Sequence, residues 1–174
     1  MSHTTLKSKR MYIPFENMPD SARVWVYQAS RNLSDSEVQA VQAQLEEQVN
    51  LWAAHGSPLS GSVLVAYNRM VVVAVDEAQN AASGCSIDAS TRWLKELSAE
   101  MGIDFFNRAI TFWQNDTLKE AEMLQLKSLV ATGEITPETL IFNNLVATIS
   151  ELKSNWQIPA ASSWMKRYFV QVAS

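Results

Sequence analysis

A chain of 174 residues, 47% of them apolar and with a formal charge of −4, fits one domain of ordinary size, or one domain with a small module attached. It is long enough to bury a real core without disulfides or metal. The mildly acidic balance argues against nucleic acid as a partner, because binding phosphates takes a basic surface. Cys85 is the single cysteine, which excludes an intramolecular disulfide and fits a reducing, cytoplasmic setting.

Residues 1–10 are polar and basic, lack the apolar stretch of a signal peptide and read as a flexible leader, with Met11 an alternative start. No apolar run reaches the roughly 20 residues of a membrane-spanning helix. Pro14 and Pro19 then suit an extended, turn-rich entry. The stretch 23–29 (RVWVYQA) alternates and is rich in β-branched and aromatic residues, which predicts a strand. Ser34 followed three residues later by Glu37 is a capping-box pattern. Behind it, Val38, Val41, Leu45, Val49 and Trp52 share one helical face. Gly56 and Pro58 are the expected stop.

Two β-rich runs, 62–67 and 70–75, flank Asn68-Arg69 and predict a tight hairpin. The second run, MVVVAV, is apolar on both faces and needs a cover on each side. SGCS, 83–86, leads into a second helix with Ser86 as the expected cap. Its stripe is Ile87, Leu94, Leu97 and Met101, and Gly102 ends it. Residues 109–113 (AITFW) form the next strand. The order strand, helix, strand, strand, helix, strand suits a ferredoxin-like β-α-β-β-α-β sandwich over 11–114, of α+β class. Residues 115–174 read as a small α+β C-terminal unit packed on the first. It comprises a turn at Asn115-Asp116, a short helix through Met123, Leu126 and Val130 that stops at Gly133, a turn at Thr136-Pro137, a strand at 140–142, and a second capping pattern at Thr148 and Glu151.

The chemistry-bearing residues are few. A phosphate loop needs a glycine-rich turn followed by Lys and Ser or Thr. None of the five glycines opens one, so a P-loop ATPase is excluded. One structured histidine, His55, and one cysteine do not make a zinc site, and no metal or cofactor is expected. Asp76, Glu77 and Asp88 would form a carboxylate site only if the strand end met the helix start. The preferred reading is solvated loop and first-turn acids. In VDEAQNAASGCSIDAS, Cys85 stands at a helix start, where the dipole favours thiolate. His55 is the only structured base, and Ser86 is a weaker nucleophile because the G-x-S-x-G elbow is absent. The preferred reading packs Cys85 inertly under its helix. Of the six tryptophans, Trp93 lies off the main stripe of its helix, and Trp156 and Trp164 fall in the irregular tail. Those three are candidates for an aromatic recognition surface, though docking on a core edge is the commoner role.

Several phrases carry a resemblance: MYIPFENMPDSARVWVYQ, SGCSID, FNNLVAT, and W-x-x-P with a later SW. Together, over nearly the whole chain from Met11, they resemble a family of short bacterial proteins sometimes labelled "ABC transporter ATPase". AITFWQND, a short helix, TGEITPETLIF and Trp156 look like the outline of a GYF-like module without its Gly-Tyr-Phe tripeptide, which implies architecture alone. The expectation is a cytoplasmic, non-enzymatic binding protein whose partner is a protein or small molecule. Neither nucleic acid nor membrane insertion is expected, and a homo-oligomer is admissible. Two alternatives stand beside it: a thiol-dependent enzyme or redox sensor at Cys85, and the transporter-associated accessory role that the resemblance implies.

Overall fold

The structure, a computed structural model, describes residues 12–54, 56–78 and 80–170; the expected leader, 1–10, lies outside them. The alternating run Arg23–Gln28 forms strand β1. Ser34 caps helix α1, Asp35–Asn50, with both halves of the capping box made. Val41, Leu45 and Val49 are fully buried on its inner face. The helix stops at Leu51, five residues before the expected glycine. Gly56, at φ +79°, instead turns a two-residue ladder, β2 (Ala53–Ala54) on β3 (Ser57–Pro58).

Strands β4, Ser60–Ala66, and β5, Met70–Asp76, form the expected hairpin. In its loop Asn68 takes the left-handed backbone, at φ 53°, and Tyr67 before it does so too, at φ 55°. Antiparallel pairing of β1 with β5 completes a three-stranded sheet in the order β1-β5-β4. Helix α2, Gly84–Met101, is capped by Ser83, three residues before the expected Ser86, and ends at Gly102 with φ 65°. Helices α1 and α2 cover one sheet face.

The residues of β5 show why its sequence is apolar throughout. Val71, Val73 and Val75 enter the core beneath α1 and α2, beside Leu45, Leu94 and Phe105. Met70, Val72 and Ala74 enter a second core with Phe142, Val146, Ile149 and Trp156. Side chains alternate along a strand, so cover on both faces buries every position. Each buried valine contributes about 1.5–3 kcal/mol relative to exposure.

The second cover comes from the rest of the chain. Strand β6, Ile110–Gln114, turns at Asn115 (φ 56°) into β7, Thr117–Ala121. A single 3-10 turn, Met123–Gln125, leads into the short helix α3, Leu126–Ala131. Strand β8, Leu140–Phe142, helix α4, Ile149–Asn155, and β9, Gln157–Pro159, follow. The second sheet is antiparallel, ordered β7-β6-β8-β9. Its far side packs Phe112, Leu126, Ile141 and Met165 into a third core.

The fold is therefore α+β, but a ferredoxin-like sandwich is not confirmed. The order β1-β5-β4 is that of the first three strands of the pattern. The fourth expected strand pairs instead as β6 in the second sheet. Among the described residues, the free side of β1 carries no paired strand, but one isolated bridge at each end: antiparallel, Arg23 with Thr148, and parallel, Gln28 with Phe106. Among the described residues, no helix is long and apolar enough to cross a membrane.

Candidate binding groove

The residues singled out in the sequence are scattered. Cys85 is exposed in the first turn of α2, so the expected packing beneath the helix does not occur. It lines an open depression of about 550 Å³ with Leu51, Trp52, Ser86 and Arg92. Ser86 is buried and its hydroxyl donates to the Ser83 carbonyl at 2.8 Å, while its own carbonyl accepts the Trp52 indole N–H at 2.8 Å. Both groups serve the helix start. His55, the expected base, lies outside the described residues.

The three acids each have local surroundings. Asp76 accepts the Ala78 N–H at 3.0 Å. Glu77 accepts the Ala82 N–H at 2.9 Å and pairs with Arg23 at 3.2 Å. Asp88 is exposed on α2. Among the described residues, no three His, Cys, Asp or Glu side chains are grouped to hold a metal ion.

The three tryptophans occupy three places. Trp93 is buried edge-on against Trp52, with ring centroids 5.1 Å apart. Trp156 is buried beside Phe142 and Tyr67, with centroids at 5.3 and 5.7 Å. Trp164 alone is exposed, at 42%. They do not form one aromatic surface.

Trp164 instead belongs to a groove that no local pattern in the sequence announced. A space of about 630 Å³ opens where β1, the segment 105–110 and the loop 142–145 meet. Its apolar rim is Phe106, Met123, Leu145 and Trp164. Leu145 and Met123 are 87% and 54% exposed, and Leu124, next to Met123, is 96% exposed. Apolar side chains of this size left in water around one concavity mark a surface that gains by being covered.

Beneath the rim lies a polar network whose atom assignments follow from its fixed donors. The Trp156 indole N–H can only donate, and it meets Asn144 Oδ1 at 2.9 Å. The Asn144 amide nitrogen therefore donates to Gln28 Oε1, at 3.1 Å. The Thr111 hydroxyl donates to the same oxygen at 2.8 Å. Gln28 Nε2 then donates to the Ala109 carbonyl at 2.9 Å and to Asn107 Oδ1 at 3.2 Å. Gln28 is buried and every polar atom of its side chain is used. Such a satisfied network holds its members in one arrangement, whereas an unpaired buried amide would cost the full desolvation of that group. It ties β1, β6 and the 142–145 loop together under the groove.

What remains on the groove surface is biased toward donors. Asn107 Oδ1 also accepts the Ala109 N–H at 3.0 Å, and Asn143 Oδ1 accepts the Leu145 N–H at 3.2 Å. Both amide oxygens are fixed on backbone donors. Neither amide NH₂ donates to a partner among the described residues. Among the described residues, Arg108 is the one charged residue of the lining; it is exposed and makes no ion pair there.

Comparison with family models, with curated proteins and with solved structures finds no match to this chain.

Proposed function

We propose that the protein is a non-enzymatic binding protein and that the groove between β1, residues 105–110 and residues 142–145 is its binding site. The observation that carries the reading is the conjunction of exposed Leu145, Met123 and Trp164 around one concavity with a floor held by the Gln28 network. A preorganised floor lowers the cost of ordering on association. The solitary, exposed Cys85 supports a reducing, cytoplasmic setting. The β1-β5-β4 order supports a ferredoxin-like origin for the first sheet, and the sequence phrases support kinship with the family bearing the transporter label, without its ATPase.

Affinity purification of the wild-type chain beside Leu145→Glu tests this reading. A partner recovered with the wild type and lost with the folded variant is the expected result. Identical recoveries from both, or none from either, contradict it.

A second reading rests on Cys85, which stands exposed in a depression that Arg92 also lines. It makes the protein a thiol-dependent enzyme or redox sensor. A Cys85→Ser variant that responds to peroxide and behaves in every turnover assay as the wild type does removes it.

A further inference from the structure

We propose that the groove takes the free C-terminal end of an extended peptide whose last side chain is apolar. This deepens the binding reading above and rests on it. Three features of the groove each select one part of such a ligand.

The first is an open stretch of sheet edge. Val24 N–H donates to the Ala147 carbonyl at 3.0 Å, and Gln28 N–H donates to the Phe105 carbonyl at 3.1 Å. Both bonds lie outside the β1–β5 ladder. Backbone groups alternate in direction along a strand, so Val26, midway between these two, also turns its N–H and C=O away from β5. Among the described residues, Val26 makes no backbone bond on that side, and it lines the groove. Neighbouring segments thus close the β1 edge at both ends and leave it open at its centre. An extended peptide fills such a gap by pairing its own main chain.

The second feature is charge. Among the described residues, Arg108 is the only charged one that lines the groove, and the amide donors of Asn107 and Asn143 are free of partners. Arg167 adds a further cation beside the rim, its guanidinium 5.6 Å from the Trp164 ring centroid. A surface of donors and cations on a chain of net charge −4 selects an anionic acceptor. A terminal carboxylate is the anion that an extended main chain carries on its own axis. The third feature is the apolar rim of Met123, Leu145 and Trp164, which receives the last side chain. Exposed Leu124 extends that surface beyond the concavity, as suits a chain longer than one small molecule.

Backbone amide shifts of the full chain, followed while titrating three probes, test the proposal. The probes are the tripeptide N-acetyl-Ala-Ala-Leu with a free carboxylate, the same tripeptide as its terminal amide, and hexanoate. The free acid is expected to bind with an affinity of about millimolar or better and to shift Val26, Asn107, Asn143 and Leu145. Amidation, and Arg108→Ala with an unchanged circular dichroism spectrum, are each expected to weaken binding about tenfold or more. Equal binding of acid and amide in the groove overturns the carboxylate proposal and leaves the binding reading standing. Hexanoate binding as tightly as the tripeptide overturns the peptide part. If the free acid shifts no groove residue, the proposal falls, and the Leu145→Glu purification decides separately whether the groove binds anything.

Discussion

Glu37 shows how far a single side chain can be read ahead of a structure. Its spacing from Ser34 identifies the capping box, and the structure makes both reciprocal bonds, at 2.9 and 3.2 Å. The structure adds Arg31, whose guanidinium clamps the same carboxylate with two bonds of 2.9 and 2.8 Å. That clamp, and next the Ser34 N–H, lower the Glu37 pKa from 4.5 to about 2. A carboxylate depressed on folding contributes stability that is fully present above its unfolded pKa and is lost as pH falls through the folded value. The support Glu37 gives α1 is therefore expected to fade between about pH 4.5 and 2, and a carboxyl-carbon NMR titration checks this. A midpoint near 4.5 contradicts the clamp. Gln28 is the opposite case. A glutamine at a strand end reads as a solvent-facing residue, and only contacts with residues 107, 109, 111 and 144 reveal it as a buried hub. Gln28→Ala is expected to destabilise the fold by about 2–4 kcal/mol, since it strands the Thr111 hydroxyl and the Asn144 amide. Chemical denaturation measures this, and a loss under about 0.5 kcal/mol would remove the network from the account.

At the scale of elements, those with a strong apolar period were legible and those without one were not. The β5 run predicted two covers and has them. The edge strand β7 carries no such period, because its residues TLKEA bury only Ala121 and leave no alternation. Trp93 falls off the apolar stripe of α2 for a related reason. The buried face of that helix includes Ser86 and Ser90 at helical spacing from Trp93 and Leu97, and serines hide a stripe from a hydrophobicity reading. The strand at 110–114 was recognised as a strand, but its partner was not, since pairing depends on which edge is free rather than on local pattern. Close packing between elements gives a further test at Gly61. A Cβ there would stand 2.9 Å from the Ala74 carbonyl and 3.1 Å from both Trp52 and Val49. The carbonyl belongs to the β4–β5 ladder and cannot swing aside, so Gly61→Ala is expected to cost about 1–3 kcal/mol by overpacking. A thermal unfolding midpoint equal to that of the wild type would show that α1 and the sheet yield more easily than this geometry implies.

At the scale of the whole molecule, the α+β class follows from the succession of periods, while the groove follows from nothing local. Its parts stand at 26–28, 105–110, 123, 142–145 and 164, five separate stretches of the chain that only the folded arrangement brings together. The sequence directed attention to Cys85 because a lone thiol at a helix start is conspicuous. The residues that shape the groove are asparagines, a glutamine, one arginine and scattered apolar side chains, each unremarkable in its own window. Trp164 was the one candidate that belonged there, and Trp93 and Trp156 are core. Hydrogen–deuterium exchange on the full chain, with and without the partner recovered by affinity purification, tests the central claim most directly. The account predicts that the bound partner slows exchange in residues 105–110 and 143–146 and at Val26, and leaves residues 83–92 unchanged. Protection confined to 83–92, around Cys85, or protection nowhere in the groove would contradict it.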